Sequence, residues 1–456
     1  MNKLIFIFLF CFVTGFLSAT DCIADGKDEI NQLRIATFDV DATPPVGSNL
    51  AYQSMINNWD LGLRAKGIVL QGSGQPIVLC CIDWIGISND SQDIFKETLA
   101  RAAQTVPERV AVHTVHQHDA PISDFGAEKL LIEKGLDPMG YESSFDKVLL
   151  MRLEEAVGNS LEKSKQVTHL GLGKGKVYNV ASNRRILGTD GKVRATRGSS
   201  CRDSALRSEP EGLIDPIVSL ISFWNNDEPL AVLSYYACHP QSYYLTSIAN
   251  PDFPGIARFY RQLAVPNALH IHFNGAGGNI AAGKYNDGSK EKRFLLAERL
   301  ADGMKRAWET TKKESVTADD ISWVYDPLSL PPAPYLKDIE QKISPDNYRY
   351  LTNNLFKLVW LRRLEKGKKI NISCLGIGKA RILHMPGELC IEYQLAAKKM
   401  RPDLFITMAA YGDYATGYIC TAKAYEEGGY EAGPASAVTY ESEQILMDSM
   451  KKLLNQ

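Results

Sequence analysis

Apolar and polar positions along this chain follow two periods in turn. Residues 67–72 and 76–83 alternate or run continuously in apolar side chains, and the turn residues Gly72-Ser73-Gly74-Gln75 separate them. The first reads as a strand, the second as a strand buried on both faces. Residues 91–106 have helical spacing, 109–115 form the next strand, and 144–165 form a long amphipathic helix. The second half repeats the alternation: strands at 216–224 and 230–238, a helix at 255–263, a strand at 268–273, a Gly-rich loop at 274–283 and a helix at 291–310. The proline-rich stretch 325–345 reads as a surface connection. Beyond it lie a helix at 347–366, one or two strands within 371–385, a helix at 388–399, a strand at 404–410 and a closing helix at 441–454. Residues 184–212 are polar and read as a long loop or insertion. The pattern predicts an α/β fold with helices covering mostly buried sheets. No boundary or short repeat divides it, so one large catalytic domain is expected over residues 30–456.

The first twenty residues stand apart. Lys3 precedes an apolar run from Leu4 to Leu17, and the small residues Ser18 and Ala19 follow. That order is a signal peptide over 1–20 and implies a secreted or periplasmic protein. The run is shorter than the ~20 residues of a membrane span, and no later stretch supplies one. Residues Ala19-Thr20-Asp21 are a poor approach to a lipidated Cys22, so export without lipid is expected. The nine cysteines include the adjacent pair Cys80-Cys81 but no CxxC spacing, which points to neither a thiolate zinc knuckle nor a disulfide framework. A formal net charge of −2 offers no basic field for nucleic acid or an anionic membrane surface.

Four short segments carry candidate chemistry. In Val112-His113-Thr114-Val115-His116-Gln117-His118-Asp119-Ala120-Pro121 a strand runs into two histidines at i and i+2, a spacing that puts both imidazoles on one side of an extended chain. Tyr235-Tyr236-Ala237-Cys238-His239-Pro240 repeats the strand–His–Pro sequence, and neutral imidazole is a preferred zinc ligand. In His384-Met385-Pro386-Gly387-Glu388 a strand stops and a carboxylate opens a helix, where it also complements the helix dipole. Residues 411–431 hold Tyr411, Tyr414, Tyr418, Tyr425 and Tyr430 in a glycine-containing acidic stretch that reads as a site-lining loop. The loop Asn274-Gly275-Ala276-Gly277-Gly278-Asn279 matches no phosphate-binding motif and suggests backbone approaching a site closely. There is no GxSxG elbow, which disfavours a serine hydrolase.

Together these segments resemble the neutral/alkaline non-lysosomal ceramidases, a family of zinc amidases. Asp41-Ala42-Thr43-Pro44-Pro45-Val46-Gly47 is similar to the family's opening motif, and His116-Gln117-His118-Asp119-Ala120-Pro121 to its HTHSGP. Arg64-Ala65, Asn183-Arg184, the strand before His239, the Gly-rich loop, Pro386-Gly387-Glu388 and Tyr418 through Glu431 follow in the family's order. The resemblance implies two central mixed β-sheets surrounded by helices. It implies Zn²⁺ held by His116, His239, Glu388 and Tyr418, with His118, Arg184 and Tyr430 acting on substrate or oxyanion. It implies hydrolysis of an amide, a ceramide-like N-acyl linkage, by zinc-activated water, with His118 shuttling the proton to the leaving amine. Two departures bear on substrate: Gly275 stands where the family carries a serine, and the immunoglobulin-like domain of full-length ceramidases has no counterpart in this sequence. The alternatives are a zinc hydrolase of the same scaffold acting on a non-sphingolipid amide or ester, such as glycan or cell-envelope material, and a secreted binding protein that has lost catalysis.

Overall fold

Continuous apolar runs become strands whose alternate side chains serve two different cores. In the run ending at Ile82, Ile77, Leu79 and Cys81 face one cluster while Val78, Cys80 and Ile82 face another, as the two-residue period of a strand requires. The adjacent Cys80 and Cys81 are therefore buried, unbonded side chains on opposite faces of one sheet. A computed structural model describes residues 32–59, 61–72 and 74–456. The signal segment expected at 1–20, Cys22 and the turn residue Ser73 lie outside the described residues.

The first sheet contains β1 (Arg34–Asp41), β2 (Arg64–Gly72), β3 (Gly74–Ile82) and β4 (Val110–Thr114). Its order is β4-β3-β2-β1, with Lys165–Gln166 on the outer edge. The first three strands form an antiparallel meander. Helix α1 (Asn89–Ala102) then carries the chain to β4, parallel to β3, the kind of crossover that parallel pairing needs. Helix α2 (Ser144–Leu161) packs beside α1.

The second sheet repeats the plan with β5 (His169–Lys176), β6 (Ile217–Asn225), β7 (Glu228–Tyr236) and β8 (Leu269–Asn274). Helix α3 (Asp252–Ala264) links β7 to the parallel β8, Lys312–Ser315 occupies the edge beside β5, and α4 (Lys290–Glu309) covers the outside. The third sheet does so again with β9 (Ile321–Leu328), β10 (Ile370–Ile377), β11 (Ala380–His384) and β12 (Phe405–Ala409). Helix α5 (Tyr348–Glu365) lies between β9 and β10, α6 (Ile391–Met400) crosses from β11 to the parallel β12, and α7 (Ser442–Leu454) closes the chain. A meander of three strands with a helix-linked parallel fourth is thus built three times.

The inner faces of the three sheets share one core, in which Leu79, Phe223, Leu233, Phe273, Leu375 and Ile382 belong to a single cluster. The outer faces are covered by α1 and α2, by α3 and α4, and by α5, α6 and α7 respectively. No boundary divides a chain whose three modules share their interior. The α/β class with mixed sheets and surrounding helices is as expected, but the described residues form three principal sheets where the resemblance implied two. Two local readings change. Residues 325–328 belong to β9 and a helix spans Leu336–Lys342, so the proline-rich stretch is not merely a connection. Glu388 lies in the two-residue strand Glu388–Leu389 and not at the start of a helix, which begins at Ile391 after Cys390. Among the described residues no helix is long and apolar enough to cross a membrane.

Phe273 is fully buried where the inner core meets all three modules. Replacing Phe273 with Ala should cost about 3–5 kcal/mol of stability, read as a lowered urea midpoint with unchanged slope.

Candidate metal centre

The third and fourth strands of each module end toward one place, where α/β sheets commonly site their ligands. His116 follows β4, His239 follows β7, Glu388 follows β11, and Tyr411, Tyr414 and Tyr418 follow β12. His116 and His118 do face one cavity, but not because they alternate on an extended strand. Strand β4 stops at Thr114, and His116 adopts a left-handed backbone (φ 76°), an uncommon conformation for a residue with a side chain. Its amide donates to the Trp84 carbonyl at 2.9 Å, which fixes the turn. The Tyr411 ring stacks on its imidazole, with centroids 4.6 Å apart.

Both histidines are oriented through the ring nitrogen remote from the centre. His116 Nδ1 donates to the Ile85 carbonyl at 2.6 Å, and His239 Nδ1 to the Gly277 carbonyl at 3.0 Å. A carbonyl can only accept, so each Nδ1 carries the hydrogen, and in the neutral ring Nε2 then presents a lone pair. Those two Nε2 atoms lie 3.2 Å apart, and Glu388 Oε2 lies 3.3 Å from each. Burial drives the His239 imidazole down to about 4 against the pull of Glu388. Among the described residues, Glu388 Oε2 is buried and finds no hydrogen-bond donor. Three electron-rich atoms therefore crowd together with no proton between them, an arrangement that repels unless a cation sits among them. A tetrahedral zinc with bonds of ~2.0–2.1 Å spaces neighbouring donors about 3.3–3.4 Å apart. Tyr418 Oη, 3.5 Å from His239 Nε2, stands near a fourth corner. The donor set fits a divalent cation. Carbonyl partners on the outer ring nitrogens are the usual means of orienting metal-binding imidazoles.

His118 is the third member of a buried histidine cluster that could hold a metal ion, its ligand atom lying within 4.8 Å of those of His116 and His239. It stands outside the tighter triangle, with Nδ1 3.2 Å from the His116 carbonyl. Burial pushes it well below the usual histidine range.

The carboxylate and phenol are brought together by a parallel ladder in which Glu388 pairs with Tyr418 and Leu389 with Ile419. The residue before each, Gly387 and Gly417, has a positive φ (55° and 59°). A Cβ on Gly387 would stand 2.5 Å from the Gly417 carbonyl oxygen, so neither turn could close with a larger residue. The Gly-rich loop presses against the same ladder. Gly278 donates to the Leu389 carbonyl at 2.8 Å, and a Cβ there would lie 2.4 Å from the Glu388 carbonyl oxygen. Close backbone approach, the role expected of this loop, is what it performs. Gly275 does not line the cavity. A Cβ at Gly275 would lie 2.4 Å from Gln394 Oε1 and 3.1 Å from the Ala237 Cβ. Gln394 cannot swing away easily, since it accepts from the Ala276 amide and donates to Asp215.

Arg184 and Tyr430 complete the centre on the tyrosine side. Tyr430 Oη is 3.1 Å from Tyr418 Oη, and the Arg184 guanidinium lies 4.8 Å from the Tyr430 ring centroid and 5.1 Å from that of Tyr418. Glu431, which is fully buried, pairs with both Arg184 (2.9 Å) and Arg185 (3.1 Å) and fixes this loop. Among the described residues, Arg184 Nη2 is buried with no hydrogen-bond partner. Burial raises the Tyr418 phenol well above its usual range, with Arg184 opposing, and lifts Tyr430 to about 12.

All seven expected residues line one cavity of about 880 Å³. Sequence reading placed Tyr414 in the site-lining stretch but gave it no role of its own; its hydroxyl donates to Glu388 Oε1 at 2.7 Å, and the orienting carbonyls of Ile85 and Gly277 had no signal. Glu431 had a signal in its place within the tyrosine-rich stretch, but its role as a double arginine partner had none. Lys357, on α5, also lines the cavity.

The fold matches solved structures of neutral ceramidase. Against neutral ceramidase from Pseudomonas aeruginosa the TM-score is 0.67 at 15% sequence identity, covering 93% of this chain and 75% of that one. Against a ceramidase complexed with C2 it is 0.66 at 15% identity, with the same coverage. The resemblance read from the motifs is thus matched in fold. No protein-family model matches the chain, and no curated protein does.

Saturation with zinc to a hundredfold excess over Kd should stabilise the protein by about 2.7 kcal/mol, seen as a raised Tm. Replacing His239 with Ala should remove that shift. Gly275→Ser should lower stability by about 1–3 kcal/mol through overpacking, measured by denaturant unfolding, and should not raise any hydrolytic rate.

Proposed function

We propose that this chain is a zinc-dependent amidase that cleaves the N-acyl linkage of a ceramide-like amide with water as nucleophile. The observation that carries this reading is the convergence of His116 Nε2, His239 Nε2 and Glu388 Oε2 at 3.2–3.3 Å with no donor among them. The fold shared with neutral ceramidase supports the choice of reaction. His116, His239, Glu388 and Tyr418 would hold the ion. When bound, zinc supplies Lewis acidity, polarising a carbonyl and making water nucleophilic near neutral pH.

The remaining roles belong to side chains of the chain itself. His118 keeps its Nδ1 against the His116 carbonyl, which leaves Nε2 to accept a proton and pass it to the departing amine. Tyr430 Oη and the unpartnered Arg184 Nη2 are the donors for the oxyanion of the tetrahedral species. Glu431 holds Arg184 and with it the loop that bears Tyr430. Tyr414 and the two orienting carbonyls keep the carboxylate and imidazoles from rotating out of place.

A second reading, an amide more hydrophilic than ceramide, is favoured by the cavity wall, where Gln53, Asn354 and Lys357 stand among the lining residues. Hydrolysis of N-acyl sphingosines measured beside hydrolysis of short N-acyl amides decides between the two. His116→Ala should abolish both bound zinc and turnover, and a variant that retained full activity would overturn the assignment. Tyr430→Phe should slow turnover by about 10²–10³ while zinc content stays stoichiometric.

A further inference from the structure

Helix α5 places one cation in the cavity wall that the reaction described above does not use. Lys357 is only 4% exposed, yet it lines the cavity. Its ammonium has three donors, and two are taken: by Asn354 Oδ1 at 3.1 Å and by the Pro434 carbonyl at 2.7 Å. Both partners are neutral. Among the described residues Lys357 enters no ion pair, and the one charge that bears on it is the more distant Glu388. Buried charges are normally paired, because an unpaired one is costly to keep out of water.

We propose that Lys357 is a specificity residue and that it binds an anionic group, a carboxylate or a phosphate ester, carried by the substrate away from the scissile amide. The proposal rests on the amidase reading and narrows its substrate class.

Two observations lead there. The ammonium is next to the centre, since its Cε would stand 3.3 Å from a Cβ on Gly417, the residue that precedes Tyr418. Arg184, the other cation in the cavity wall, is already matched by Glu431, so it does not compete for a distant anion. Burial also lowers the lysine to about 8, with Glu388 opposing, and a bound anion would hold it charged. A neutral ceramide offers this group hydroxyl oxygens but no charge.

Three amides with a common acyl chain test the idea on the zinc-loaded protein: N-hexanoylglycine, N-hexanoyl-O-phosphoethanolamine and the neutral N-hexanoylethanolamine. At least one anionic member should exceed the neutral one in kcat/KM by about tenfold or more, mostly through KM, and the better of the two identifies the source of the anion. Lys357→Met should bring that ratio to near unity, with zinc content reporting that the variant is folded. Equal or better cleavage of the neutral amide by the unaltered protein overturns the proposal, and so does an unchanged ratio in a folded Lys357→Met. If no amide is cleaved, the amidase reading fails instead. Calorimetric titration of the same three compounds into the zinc-loaded protein then reads the anion preference without turnover, and equal affinities there would also overturn it.

Discussion

Two imidazole lone pairs and a carboxylate oxygen that face one another without a proton form a repulsive cluster, and most of the surrounding structure can be understood as holding it in place. The Ile85 and Gly277 carbonyls take the outer hydrogens of the two rings, which removes any chance that the inner nitrogens satisfy each other. The Tyr414 hydroxyl occupies the other carboxylate oxygen. The left-handed turn at His116 is a local cost accepted to aim its ring. Each of these devices works against the lowest-energy arrangement of an apoprotein and in favour of one that already has the shape of a coordination shell.

The threefold use of one strand–helix module explains how such distant residues meet. Every module ends its parallel pair toward the same region, and the three inner faces share a core. The first module supplies His116 and the Ile85 carbonyl, the second supplies His239 and the Gly277 carbonyl, and the third supplies Glu388 and the tyrosines. The rigid part of each contribution is a strand buried on both faces, while the chemistry sits on the short segment just beyond it. That division lets a strained backbone persist where the chemistry needs it.

How much of this was legible in the chain depended on the kind of signal. His116, His239 and Glu388 each sit where an apolar run breaks at a proline or a glycine, so the sequence marked them by interruption. Tyr418 was marked by the tyrosine-rich stretch around it. The triple module was not legible, because its copies share strand directions and not side chains, and the loops between their strands differ in length. Strand β9 was hidden by Pro327, which an edge strand tolerates because one side of its backbone needs no partner. Glu388 looked like a helix start because Ile391–Met400 follows so soon; the pairing partner that makes it a strand lies near the end of the chain. Lys357 gave no sign at all, being one basic residue in a helix already rich in them.

The pairing of Glu388 with Tyr418 also fixes when the centre can come into being. His239 and Tyr418 are separated by 179 residues and His116 and His239 by 123, and the last donor lies within the closing segment of the chain. No chain that ends before Tyr418 possesses all four candidate donors, so an ion held by all four could not template early folding in the way it does for a short zinc finger. An ion held by the full donor set could therefore enter only after Glu388 and Tyr418 have paired, as a late step in the maturation of the protein.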